Sequence, residues 1–455
     1  MKRTALSLVL AGIGGMAMLA IAASPNLRNS PPPEAASIVA PNEDLVVHEW
    51  GTFTTFSGSN GVHLEFRPLA AAQRDLPDFV WDRSTGSPMQ MLSKSYIRCR
   101  VRMETPVTYF YTDRERTIRA SVGFPQGLLT EFYPPVKAMA PPFDAAAARG
   151  QGEKIGNSSL DWGQIRLIPT KAFLPQVASE GDARWLQGRI LENICLPGDG
   201  HYAAARATDS ALVLSEHQGQ KHLEKFLFYR GVGKFDLPVQ VEAGEDGEIR
   251  VHNRDGQAIR SVFLLESRER QLRMSSLDQI AAGETAVMSR PQPFGGSDIG
   301  EAMVRALVRE GLYEKEARAM IATWSNSWLL EEGTRVFYMV PQKVTDTLLP
   351  LKIEPAPKET VRVLVARLEV MRASDEKRIL EVVKQSAAAR RAEQEKQKGL
   401  PQPTPISLPI PEEITKLGRL AEPALVRVEA ISREPAVRTE AEMLLDQLRR
   451  ENNPL

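Results

Sequence analysis

Residues 237–267, LPVQVEAGEDGEIRVHNRDGQAIRSVFLLES, constrain the fold more than any other stretch of the chain. Val239, Val241 and Ala243 alternate with Gln240 and Glu242, and Ile249 and Val251 alternate with Arg250 and His252. Successive side chains of a strand point to opposite faces, so a period of two marks a half-buried strand. Asp246-Gly247 and Asp255-Gly256 supply the residues that tight turns require. The expectation is three strands joined by two tight turns, which excludes an all-helical protein.

The same pattern reaches back to Leu45. Val101 and Met103 alternate with Arg100, Arg102 and Glu104, and Ile118, Ala120, Val122 and Phe124 alternate with Thr117, Arg119 and Ser121. Both read as half-buried strands. From Ser297 the period becomes helical. Ser297 or Asp298 can cap IGEAMVRALVREG, with Gly311 as its stop, and YEKEARAMIATWSNSWLL follows as a second helix with an Ala317, Met320, Ile321, Trp324 stripe. TRVFYMVP and VRVLVARLEV then return to strand. The fold class expected is α+β: a β-rich core, as a sandwich or meander sheets, over residues 45–372 with a helix pair inserted at about 297–330. A charged helix over 373–398, whose charges read as a solvated face, and a proline-rich linker over 399–411 follow. The last segment, residues 412–450, resembles one HEAT-type helical unit. Such units bury their faces by stacking, so a single one must lean on the core or on the preceding helix, or bind a protein partner.

The chain has 455 residues, and its 57 basic side chains balance 57 acidic ones. That balance gives no basic footprint for nucleic acid. Residues 1–23 combine Lys2 and Arg3 with a long apolar run and a small-x-small site at Ala20-Ile21-Ala22. They read as a signal peptide or, if uncleaved, an N-terminal membrane anchor; residues 24–44 read as a proline-rich linker. The expected location is the periplasm or cell envelope, with the inner membrane touched only through an uncleaved N-terminus. Cys99 and Cys195 are the only cysteines, and in an exported chain they permit one disulfide; the alternative is two buried thiols.

Chemistry is sparse. HEWGTFTTFSGSNGVHLEF, residues 48–66, holds His48-Glu49 and the pair His63 and Glu65. It reads as a hairpin of residues 45–56 and 62–66. A two-residue turn at Asn60-Gly61 puts His48 on the His63 side but about 33 Å away; a five-residue loop puts Glu49 on that side, about 13 Å from Glu65. Metal ligands must converge within about 2.0–2.2 Å of one ion, so the two pairs share no site on a straight hairpin. The stronger candidates for binding are His201, Tyr202 and Arg206 beside the Gly198-Asp199-Gly200 turn. His222 and Glu224 share a strand face, and Glu104 stands two residues before Pro106, where an edge or bulge is expected. For each, ordinary surface polarity is the competing explanation. Gly231-x-Gly233 reads as a turn without a helix behind it. No nucleophile elbow, Walker loop or Cys-x-x-Cys pair occurs.

Several stretches, VHEWGTFT, METPVTYFY, FPQGLLTEFYP, HYAAARATD, KFLFYRGVG and SWLLEEGTRVFYMVP, resemble an uncharacterised family of exported bacterial proteins. They span most of residues 46–341. The resemblance implies export and one large β-rich core, and it supplies no catalytic residues. The functional expectation is a non-catalytic binding or structural module of the envelope with no cofactor. The alternative is a metal-assisted hydrolase of envelope polymers or peptides, with a divalent metal and with His201, His222, Glu224 and Glu104 as ligands or acid-base groups.

Overall fold

The strand Asn42–Ser57, which begins three residues earlier than the sequence suggests, lies in the middle of the protein. The computed structural model describes residues 42–67, 80–82, 97–142, 155–170, 204–402 and 404–452. In spatial order the main sheet runs Gln292–Pro293, Gln271–Ile280, Ile259–Arg268, Gly333–Val340, Pro357–Val370, Asn42–Ser57, Val101–Tyr111, Leu227–Gly233, Gly127–Tyr133 and Trp81–Asp82. The opening strand, Asn42–Ser57, pairs in parallel with the closing strand, Pro357–Val370, and antiparallel with Val101–Tyr111. It therefore does not form the long hairpin expected with residues 62–66. Only a remnant survives: Ser57 bridges His63, and the Gly58 amide donates to the Val62 carbonyl at 2.9 Å. The two longer partners win because each offers the opening strand a full ladder.

The sheet is the middle layer of an α+β architecture. One face packs on a six-stranded sheet, built from Arg116–Phe124, Ser158–Ile168 and neighbouring strands, and on a three-stranded sheet. Leu45, Val47, Phe53, Leu364 and Ala366 of the middle layer meet Ile118, Trp162 and Val241 there. The other face is covered by helices. Trp50, Val107, Val363 and Phe337 pack against Met303, Met320 and Trp324 of the inserted helices Gly296–Arg309 and Glu314–Ser325. Farther along, Phe56, Leu128 and Val232 pack against Ile379, Leu425 and Leu444 of the C-terminal helices. Residues Ala40–Leu455 form one compact unit, so the terminal helices belong to the same body as the core.

Several expectations change once strands are buried on both faces. Val101–Tyr111 is buried at ten of its eleven positions, so Arg102 and Glu104 are interior rather than an exposed face. A bulge at Thr105, φ 54°, sits opposite Gly51 and reverses the strand's facing. Val101 and Met103 point to the sheet side, whereas Val107 and Tyr109 point to the helices. The bulge expected at Pro106 is present, in an internal strand rather than at an edge. Gly231 and Gly233 lie inside Leu227–Gly233, not in a turn; a Cβ on Gly231 would fall 2.6 Å from the Leu128 carbonyl oxygen. In the 237–267 stretch the first two strands pair as expected. The third, Ile259–Arg268, leaves for the main sheet, because its VFLL run buries both faces. Gly295, not Ser297 or Asp298, is the N-cap of the first inserted helix. By contrast, Arg116–Phe124 alternates as read, and Gln218 and Gly219, both at positive φ, turn the hairpin of Leu212–His217 with Gln220–Glu224.

Candidate functional site

Arg206 and Glu224 are brought together. Arg206 closes the single turn Ala204–Arg206, and Glu224 ends the hairpin strand Gln220–Glu224. Nη2 donates to Oε2 at 2.7 Å and Nε to Oε1 at 3.0 Å, a bidentate pair. Burial works against the charged guanidinium, but Glu224 raises its pKa above the ordinary value. Glu224 also accepts the Lys225 amide at 2.8 Å. The Lys225 ammonium donates to the carbonyls of Thr208 and Ser210 at 3.0 and 3.2 Å. Its pKa is pushed down by burial, with Asp209 and Glu224 opposing. This group clamps the 204–210 loop onto the hairpin. His222 meets the Tyr133 ring edge-on, with centroids 5.9 Å apart. His201, Tyr202 and Cys195 lie outside the described residues, so the Cys99–Cys195 pairing does too; Cys99 itself is buried and its backbone bridges Phe66.

Glu104 belongs to a different cluster, on the helix-covered face. It accepts from Thr54 Oγ1 at 2.8 Å and stands 3.1 Å from Arg102 and 3.4 Å from Arg419. Burial raises its pKa, but Arg102, Arg419, Arg230 and Arg367 outweigh burial and hold it well below the carboxylate range. Glu369 is also buried and also held low, by Arg335 and Arg367. Arg367 and Arg419 in turn share Glu331, at 2.8 and 3.1 Å. Arg335 caps the end of the insertion by donating to the carbonyls of Trp328 and Glu331 at 2.6 and 2.7 Å. The network thus joins four strands to the insertion and, through Arg419, to the terminal helical segment. The long helix Ala373–Gln397 repeats the device: its Glu376 and Arg390, expected on a solvated face, are buried against Arg427 and Glu440.

His48 and Glu49 point to opposite faces, as the pleat requires. Glu49 is fully buried on the sheet side. It accepts from Arg362 Nε at 2.8 Å, Tyr229 Oη at 2.6 Å and Thr108 Oγ1 at 2.9 Å. Arg362 reaches on to the Leu349 carbonyl at 2.6 Å and Asp346 at 3.0 Å. Burial opposes the Arg362 charge, but Glu49 drives its pKa upward; burial and Glu49 together push the Tyr229 hydroxyl well above its ordinary value. On the helix side His48 Nδ1 lies 2.8 Å from Glu316 Oε2. Glu316 also accepts from Tyr111 Oη and from the Tyr313 amide, both at 2.7 Å, and Tyr313 lies over the His48 ring with centroids 4.4 Å apart.

The partners Arg362, Arg367, Glu369, Glu316 and Arg419 were not among the candidates. A signal for three of them was present: in VRVLVARLEV, charges interrupt an apolar run too continuous for a half-exposed strand. Glu316 sits in an amphipathic helix and Arg419 in the short turn Gly418–Leu420, and in neither does anything local separate a buried charge from a solvated one. Among the described residues, no three His, Cys, Asp or Glu side chains are grouped as metal ligands.

No family model matches the chain, and no curated protein matches it. Among solved structures, the chain is similar at TM-score 0.23 and 6% identity to the yeast delta-COP-I mu-homology domain complexed with the Dsl1 WxWxV peptide. That alignment covers 73% of this chain and 98% of the other. The yeast delta-COP-I mu-homology domain without peptide gives TM-score 0.22 and 8% identity over the same shares.

Proposed function

We propose that the protein is an exported, envelope-associated module with a non-catalytic binding or structural role. One observation carries this reading. The charged side chains that catalysis would recruit are committed to each other: Glu104 and Glu369 to arginines, Glu224 to Arg206, and Glu49 to Arg362. A carboxylate saturated by guanidinium donors is a poor metal ligand and a poor general base. Glu49–Arg362 and Arg335–Glu369 instead join neighbouring strands of the main sheet, and Glu104–Arg419 joins that sheet to the terminal helical segment. Export rests on the signal-like residues 1–23 and on the resemblance to exported bacterial proteins, and no cofactor is required. The HEAT-like terminal unit is the element we assign to a protein partner, through the face it does not spend on the core.

The test is fractionation of a bacterial host expressing the full chain, followed by elemental analysis and a hydrolase panel on the purified protein. Recovery with the envelope, metal far below one equivalent and no turnover of peptidoglycan, peptides or esters is the expected result. Stoichiometric zinc with turnover would establish the metal-assisted hydrolase instead. Recovery in the cytoplasm would remove the envelope role.

A further inference from the structure

His63, one of the four ionisable residues of the 48–66 stretch, plays no part in the networks above. Its side chain is only 7% exposed. Neither ring nitrogen makes a hydrogen bond of good geometry; Nδ1 stands 3.4 Å from Asp236 Oδ1. Most buried polar atoms are well paired, so an imidazole whose polar neighbours, the Asp236 carboxylate and the Val239 backbone, fall short of good hydrogen-bond geometry needs a physical reason. His63 borders a cavity of about 350 Å³, shared with Arg100, Asp236, Gln240 and Arg254. Asp236 holds Arg100 Nη1 at 3.1 Å, while the buried Arg100 Nε lacks a hydrogen bond and faces Glu65 at 3.7 Å. Glu65 is also paired with Lys234 at 3.2 Å. Arg254 is fixed by its backbone, whose N–H donates to the Pro238 carbonyl at 2.8 Å. Its guanidinium has no ion pair among the described residues.

We propose that this cavity binds a small oxyanion, a carboxylate or phosphate group, held by the Arg254 guanidinium and by a ring N–H of His63. The charges around the opening support it: Arg100 and Lys234 are answered by Asp236 and Glu65, which leaves Arg254 uncompensated. Arginine presents a planar fork of donors that matches such groups. Burial lowers the His63 pKa, with Asp236 opposing, which favours a neutral ring that donates from one nitrogen. Asp236 cannot itself be the occupant, because it is 60% exposed and spent on Arg100. The inference stands independently of the envelope role.

The test uses the full chain labelled at histidine Cε1 and followed by NMR, with sodium phosphate and sodium succinate titrated at constant ionic strength. The chain has six histidines, and His63→Gln assigns the His63 signal. The expected result is a saturable shift of His63 alone, at a dissociation constant of about 1 mM or tighter. Arg254→Ala, at an exposed position, should weaken binding about tenfold or more while the other histidine signals stay in place. Saturation by one anion and not the other identifies the ligand as phosphate-bearing or carboxylate-bearing. A His63 signal unmoved by both anions at about 10 mM, or a titration unchanged by Arg254→Ala, overturns the proposal.

Discussion

The two faces of the ten-stranded sheet handle buried charge differently. On the face toward the smaller sheets one buried carboxylate, Glu49, meets one buried guanidinium, Arg362, which also reaches the exposed Asp346, beside an apolar layer. On the helix-covered face buried ionisable groups are linked: His48 with Glu316, Glu104 with Arg419, and Arg335–Glu369–Arg367. Glu49 and Arg362 stand directly opposite on adjacent parallel strands, so this pair pins strand to strand within the main sheet, while the packed sheets align through their pleated apolar faces. A helix laid on a sheet brings no second pleated face to set its position. Buried pairs supply that register, because a misplaced helix would leave a charge unpaired in a low-dielectric interior. The contrast teaches that the charges of this core act as addresses for its helices more than as a store of stability.

The sharpest way to break this comparison is Arg362→Met. It leaves Glu49 buried without its cation and should cost about 3–5 kcal/mol in chemical denaturation. The double variant Glu49→Gln with Arg362→Met should recover most of that loss, since an uncharged pair carries no unpaired-charge penalty. A loss under about 1 kcal/mol for the single variant would show that the sheet face tolerates a lone carboxylate. Next in size is Glu104→Gln, expected to cost about 1–3 kcal/mol. Its distinguishing mark is local: the terminal helical segment, held through Arg419, should be clipped by protease before the β core. Uniform digestion would mean that the helices are held by their apolar face alone.

Acid sharpens the same contrast. Glu104 and Glu369 have folded pKa values below their ordinary 4.5, so the native state binds fewer protons than the unfolded chain at low pH. Their contribution is complete above about pH 4.5 and is lost as pH falls toward the depressed folded values. The helical layers should loosen first in an acid titration followed by tryptophan emission, since Trp324 and Trp328 lie there. Glu104→Gln should flatten this acid dependence. The smallest effect expected is that of Arg419→Ala, about 0.5–1 kcal/mol, because Arg419 is partly exposed and water replaces part of its contact.

How much of this was legible follows from what a one-dimensional pattern can carry. The β-rich core, the inserted helix pair and the helical end were readable because amphipathic periods survive in the sequence. The bulge beside Pro106 was readable because proline cannot donate to a ladder. Arg206 and Glu224, singled out separately by their surroundings in the sequence, pair with each other in the fold. The pairing of the opening strand was not readable, because the closing strand lies far along the chain and no local signal names it. Arg102 and Glu104 resembled a wet face because alternation alone cannot tell solvent from a second covering layer. His48 with Glu316 joins a strand to a helix 268 residues later, beyond any spacing rule.

The parallel pairing of Asn42–Ser57 with Pro357–Val370 carries a consequence for the order of assembly. The buried pair Glu49–Arg362 closes a loop of 313 residues. A chain emerging N-terminus first exposes its most central strand from the outset and completes that strand's surroundings only near the end. Until then the ladder groups on one side of Asn42–Ser57 are an open template for other chains. Folding dominated by such distant contacts is slow. Among the described strands the first to appear is thus among the last to be safe, and a chain cut short before residue 370 inherits an exposed edge where the intact protein has its centre.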